Sequence, residues 1–213
     1  MSSSDLLSFA LTALVTLFVT IGPIEGAAIY TGLTSGIHAS ERGALACRSV
    51  LIAGILLFAF ALAGNPVLAW MHVSLPAFRF AAGVMLFLQA ISLVFGGRGG
   101  LSSINAAETR EALKAADIAV FPLAFPVIAG PGALAAVVLL MGRTSFVHGA
   151  IVLTALSVCL ALTYLALLAA ERLGRLLGVT GADVVGRVSG ILLAALAAQF
   201  IFDGLKEARL FVV

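Results

Sequence analysis

Between Arg48 and His72, and again from Phe146 to Ala170, the chain runs without a single Asp, Glu, Lys or Arg. Such stretches are apolar all round a helix rather than along one stripe, so lipid and not water is the solvent they fit. A spanning helix needs about 20 apolar residues. That rule marks segments near 6–35, 43–71, 75–96, 117–141, 146–170 and 184–205. Of the 213 residues, 62% are hydrophobic and 10% charged, where a soluble domain carries about 25% charge, and the mean hydropathy is +1.19. The predicted fold class is an all-α membrane protein of about six transmembrane helices, multi-pass in the inner (plasma) membrane and surrounded by lipid. Met1 to Leu7 contains Asp5 and no Lys or Arg, and a long apolar stretch follows, so this region is read as the first span and not as a cleavable signal.

A net charge of +2 with no basic stripe gives no footprint for nucleic acid. Cys47 and Cys159 stand alone, outside any CxxC spacing, and are expected to be small buried hydrophobes. His38, His72 and His148 fall at segment ends without metal-ligand spacing, so interfacial placement is expected and no metal or cofactor. Lys and Arg read as topology signals. Arg42, Arg48, Arg98, Arg110, Lys114, Arg172, Arg175 and Arg187 fall in loops on one side, against Arg79, Arg143, Lys206 and Arg209 on the other. The positive-inside rule therefore predicts both termini outside the cytoplasm.

Residues 98–116 form a long polar stretch, and Glu108, Arg110, Glu111 and Lys114 predict a short helical surface loop there, joining halves at 1–97 and 117–213. The halves share landmarks. Ile21-Gly22-Pro23 answers Ala129-Gly130-Pro131, each followed by an Ala-Ala pair, at Ala27-Ala28 and Ala135-Ala136. Gly83, Phe95 and Gly97 have the same mutual spacing as Gly190, Phe202 and Gly204. A duplicated three-span half must insert upside down relative to its copy, and inverted repeats with matching helix breaks point to a transporter with a site near the bilayer midplane.

Glycine and proline inside a span free backbone groups that lipid cannot satisfy, so breaks persist only where protein or a cavity surrounds them. The first span breaks at Gly22-Pro23; the fourth is interrupted by Pro122, Pro126, Gly130, Pro131 and Gly132. The half-helix after each break presents unpaired N–H groups, which suit an anion. Gly130, Pro131 and Gly132 are the expected cradle, and Gly22, Pro23, Glu25 and Gly26 its counterpart. A carboxylate at Glu25 would cost at least about 2.5 kcal/mol at membrane depth unless paired or protonated. Two readings of Glu25 stand side by side: a ligand for a cationic group, or a first-turn carboxylate that offsets its own helix dipole. If both breaks face one cavity, acid on one side and bare amides on the other fit a zwitterion, with Gly26, Ala27, Ala28, Ala135 and Ala136 lining the approach.

The remaining polar groups in the spans invite quieter readings. Thr12, Thr16, Thr20 and Thr31 are expected to bond their own i−4 carbonyls or to hold helices together. Gln89 and Gln199 are expected as interhelical glue, and Asp203 as the partner of Lys206. No Ser-Lys, Asp-pair or metal constellation marks an enzyme.

Pro122-Leu-Ala-Phe-Pro126 followed by Ala129-Gly-Pro-Gly132 resembles the signature of the MarC family of membrane proteins. Ser74-Leu-Pro-Ala-Phe-Arg-Phe-Ala-Ala-Gly83 is similar to that family's third span, as are Gly22-Pro23 and Leu33-Thr34 to its first. The resemblance implies six spans in the broad superfamily of LysE-type exporters, and transport or export of small neutral amino acids such as glycine and alanine; the substrate expected for this chain is glycine, alanine or serine. Where relatives usually read Asp- or Asn-Pro-x-Gly-Asn, this chain reads Gly22-Pro23-Ile24-Glu25-Gly26. Alternatives left open are a small-solute channel and a non-transporting assembly protein. Coupling to protons or sodium and homo-oligomerisation are also left open.

Overall fold

The computed structural model describes residues 3–34, 36–95, 118–142 and 146–208. The polar connection between the halves lies outside them. Among the described residues eight helical elements follow in order: α1 Ser3–Ile21, α2 Pro23–Leu33, α3 Ala39–Trp70, α4 Leu75–Phe95, α5 Ala119–Ile128, α6 Pro131–Met141, α7 Phe146–Leu168 and α8 Ala170–Glu207. Five candidate spans are found, at 4–33, 40–70, 75–95, 146–168 and 183–207, and the bent pair α5–α6 makes six. The protein is an all-α membrane protein, and its spans fall close to the segments expected from hydropathy.

The two breaks arise differently. α1 stops at Ile21 because Gly22 adopts a left-handed conformation, φ 62° and ψ 62°, and α2 restarts with Pro23 in its first turn. In α5, Phe121 and Phe125 are extended, at φ/ψ of −128°/125° and −136°/129°. Each precedes a proline, whose ring disfavours the helical region for the residue before it. The wide-turned backbone that results is held by bonds such as Ala129 N–H to the Ala124 carbonyl at 2.9 Å. α6 then starts at Pro131, and the α5–α6 pair bends by 55°.

One expectation fails between the last two spans. The sequence predicts a loop carrying Arg172 and Arg175, yet α8 starts at Ala170 and runs for 38 residues. Residues 171–183 contain glycines but no proline, and nothing else in them forbids a helix. At 1.5 Å per residue α8 measures about 57 Å, nearly twice the hydrocarbon thickness of about 30 Å. The helix therefore carries its basic first turns beyond the apolar span.

Helices pack in a pattern that survives exchange of the halves. α1 and α2 lie against α7, as α5 and α6 lie against α3; α2 meets α8, as α6 meets α4. α4 and the later part of α8 run antiparallel in the most extensive contact of the fold. That contact depends on missing side chains. A Cβ on Gly83 would stand 2.8 Å from the Ala197 carbonyl oxygen, and one on Gly190 3.1 Å from that of Ala90. Ala90 follows Gly83 at the spacing by which Ala197 follows Gly190, so the two approaches are reciprocal. Lipid tails are as apolar as leucine, so close backbone approach of this kind is what draws helices together in a bilayer.

The main core lies among α1, α2, α3, α5, α6 and α7, centred on Leu17, Leu57, Leu123, Val137 and Leu156. Thr12, Thr20 and Thr31 donate to the carbonyls of Ser8, Thr16 and Ala27, the i−4 pattern expected. Cys159 is buried as expected, but Cys47 is exposed, on the outward face of α3. Gln199 and Asp203 also depart from expectation. Gln199 Nε2 donates to Asp203 Oδ1 at 2.8 Å within α8, since one turn brings them together, and among the described residues Asp203 makes no ion pair with Lys206.

Gly83→Ala should cost about 1–3 kcal/mol through overpacking, because the added Cβ would meet, besides the Ile201 side chain, two backbone atoms, the Ala197 carbonyl oxygen and the Ile201 nitrogen, within 3.0 Å. Gly186→Ala, with nothing within 4 Å of its Cβ, should be neutral or stabilising. Thermal unfolding of the two variants in detergent checks this; equal melting temperatures would contradict the close α4–α8 contact.

Candidate functional site

A cavity of about 440 Å³ opens where the two breaks meet, a size within the roughly 300–1,000 Å³ of small-molecule sites. Gly22, Glu25 and Gly26 line it from the first break, and Pro126, Val127 and Pro131 from the second. Two of its other walls are helical faces, with Thr20 from α1 and Met85, Leu88, Gln89, Ser92 and Leu93 from α4. The separation of the breaks in sequence is erased by the fold.

Glu25 occupies the first turn of α2, where a carboxylate offsets the helix dipole. Its Oε2 folds back over Gly22, close enough that a Cβ there would lie 2.9 Å away. The N–H of Gly22 is already bonded to the Phe18 carbonyl at 3.0 Å, so it is not what holds the carboxylate. Among the described residues Glu25 has no hydrogen-bond or ion-pair partner, and it is half-buried. It also lines a smaller cavity of about 40 Å³ on the far side of α2, with Ala27, Ala28, Ala170 and Gly174. One carboxylate thus faces two spaces.

Of the residues expected at the site, Gly22, Glu25, Gly26 and Pro131 share the cavity wall. Pro23 is buried in the packing of α2. Gly130 and Gly132 are buried behind the wall, and the Cα of Gly132 is covered by Leu86 and by Gln89, whose Oε1 would stand 3.1 Å from a Cβ there. Ala27 and Ala28 line the smaller cavity. Ala135 and Ala136 do not line the approach: both are core residues, because the first turns of α6 are buried against α3 and α4.

The residues that sequence reasoning undervalued are Gln89, read there as interhelical glue, and Ser92, given no role there. They are the only polar side chains between Arg79 and Phe95. Three positions apart, they share one face of α4. That isolation was the available signal.

The arrangement can hold a small polar solute: a lone carboxylate, the start of a half-helix and two neutral hydrogen-bonding side chains converge on a partly apolar space. Fold and site together define a polytopic α-helical membrane protein with a cavity between two broken helices. The MarC family integral membrane protein profile matches residues 7–209, and the chain belongs to that family. It is 32% identical over 208 residues to a UPF0056 membrane protein of Archaeoglobus fulgidus, covering 97% of each chain. It is 32% identical to the UPF0056 membrane protein YvbG of Bacillus subtilis, over 93% of this chain and 95% of the relative. Against the UPF0056 inner membrane protein YhgN of Escherichia coli it is 29% identical, over 92% of this chain and 95% of the relative. No solved structure matches.

Gly22→Ala would place a side chain at φ 62°, costing about 1–2 kcal/mol, and would push the Glu25 carboxylate aside. A lower melting temperature in detergent is expected, together with a changed yield of carbodiimide adduct at Glu25, read by mass spectrometry with Glu25→Gln as the blank. An unchanged adduct yield would show that Gly22 does not set the position of the acid.

Proposed function

We propose that the protein is a secondary transporter or exporter of small neutral amino acids, of the size of glycine, alanine and serine, working by alternating access around the cavity between the breaks. The observation that carries this reading is the convergence of both breaks on one cavity whose only carboxylate, Glu25, has no partner among the described residues. An unpaired carboxylate inside a span is costly, and a bound ammonium group would offset that cost. The start of α6 at Pro131 supplies the positive dipole end for the carboxylate of the same solute. Both halves of a zwitterion thus find complementary partners in one space.

The exchange-symmetric packing supports an inverted repeat, in which one arrangement of the halves and its mirror would open the site to alternate sides. Polar groups lie in separate cavities, one at Glu25 and another of about 230 Å³ lined by Tyr30, Thr31, Thr34, Arg42 and Glu171, rather than along one continuous pore, which favours a carrier over a channel. Protons at Glu25 or sodium at carbonyls freed by the breaks are both compatible with coupling. The protein acts without catalysing a chemical reaction.

Charge supports an orientation. Arg42 pairs with Glu171 at the end where α3 and α8 begin, near Arg172 and Arg175, while Arg79 pairs with Glu207 at the opposite end. The first end is the richer in arginine and faces the cytoplasm under the positive-inside rule. Alkaline phosphatase fused after His72 should then be active and fused after His38 inactive; the reverse pattern would invert the orientation.

Transport itself is tested by counterflow. Purified protein in liposomes preloaded with unlabelled glycine, alanine or serine should accumulate labelled glycine saturably, and Glu25→Gln should reduce this at least about tenfold, the loss expected for one charge-assisted contact. Accumulation unchanged in Glu25→Gln would remove Glu25 from the site. No accumulation with any of the three solutes would overturn the amino-acid reading.

A further inference from the structure

Many hydroxyl side chains in these helices share one habit. Thr20, Thr31, Thr34, Ser49, Thr154, Ser157 and Thr163 each donate to the carbonyl one turn back. That bond satisfies the hydroxyl within its own helix, as a nonpolar surrounding requires. Ser92 breaks the habit. The residue is 8% exposed, and its Oγ is buried without a hydrogen-bond partner among the described residues. The Leu88 carbonyl would be the i−4 acceptor, yet the hydroxyl does not use it. Ser92 instead lines the cavity, on the α4 face that also brings Gln89 there. A buried hydroxyl left unpaired is costly, and a polar ligand in the cavity would meet that need.

We propose that Ser92, supported by Gln89, forms the subsite for the solute's side chain and selects a hydroxyl-bearing amino acid over an apolar one of similar size. The proposal rests on the amino-acid reading of the cavity and adds which wall reads which group. Glu25 is the acid wall, the Pro131 end of α6 is the anion wall, and α4 is the remaining polar wall, carrying no charge at the cavity. A neutral hydroxyl and amide stabilise an ammonium or a carboxylate less than a full opposite charge does, and they match the donor and acceptor of a hydroxyl group. Gln89 lies beside the first turn of α6, its Oε1 next to Gly132, and it lines the same cavity as Ser92. A site built to hydrogen-bond a substrate hydroxyl rejects the analogue that lacks it, because its own polar groups are then left unpaired.

The test compares serine with alanine, which differ by that hydroxyl. In proteoliposome counterflow, serine should show a half-saturating concentration about tenfold below that of alanine, the size of one additional hydrogen bond. In Ser92→Ala the serine-to-alanine ratio should fall to about one, and in Ser92→Thr, which keeps a hydroxyl, part of the preference should return. A thermal-shift series on the unmodified protein guards against a variant that fails to fold: serine should raise the melting temperature more than alanine at equal concentration. Equal half-saturation for the two solutes, or a preference that survives Ser92→Ala, overturns the role of Ser92 while leaving amino-acid transport standing. Failure of all amino acids to bind or accumulate overturns both.

Discussion

A bilayer interior offers no water to a free N–H or C=O, so each interruption of a helix must be covered by other protein or opened to a cavity. Everything distinctive in this fold follows from having two such interruptions. Gly22 turns left-handed, and Pro23 restarts a helix; the two Phe-Pro steps of α5 lie extended ahead of Pro131. Both broken elements are enclosed by the unbroken ones. α7 flanks the first and α3 the second, and α4 closes one side of the space between them. A break left facing lipid would have no compensation, so the positions of the long helices are set by the breaks they shelter.

The shelter depends in turn on how tightly α4 can be held. Its inward face has little apolar bulk where α8 approaches, and Gly83 admits the Ala197 carbonyl to a distance no side chain would allow. Gly190 does the same for Ala90 from the other helix. The two contacts fix α4 in rotation as well as distance, which decides that Gln89 and Ser92 face the cavity instead of lipid. Packing energy at one edge of the molecule thereby sets the chemistry of its centre.

The spans were legible because their signal is long and redundant: twenty or so apolar residues are hard to mistake, and proline marks its own break. The family was legible from the residues around those same prolines. Less legible were features that depend on what lies across a gap. Ala135 and Ala136 resemble Ala27 and Ala28 in sequence, yet Ala135, Ala136 and Ala27 are all buried and only Ala28 is exposed, because α6 is buried against α3 and α4 while α2 leaves a small cavity beside α8 that Ala27 and Ala28 border. Cys47 and Cys159 sit in equally apolar stretches, and only the packing of α3 and α7 decides which is covered. The helical start of α8 was missed for a different reason. Its charges suggested a loop, but charge alone does not end a helix where no proline or competing cap intervenes.

The stretches that follow the two breaks differ most at the site itself. Pro23-Ile24-Glu25 begins one half-helix and Pro131-Gly132-Ala133 the other, so the acid of the first break has no counterpart in the second. If both breaks carried acids, two like charges would share one cavity, and each would raise the cost of the other's ionisation. If neither did, the two helix starts would present only positive dipole ends and would suit an anion alone. A single carboxylate makes the cavity bipolar. The same asymmetry bears on size, since a Cβ at Gly26 would meet nothing within 4 Å. The space beside the acid is therefore bounded by what glycine lacks, and any larger residue at that position would intrude on the room left for a solute next to Glu25.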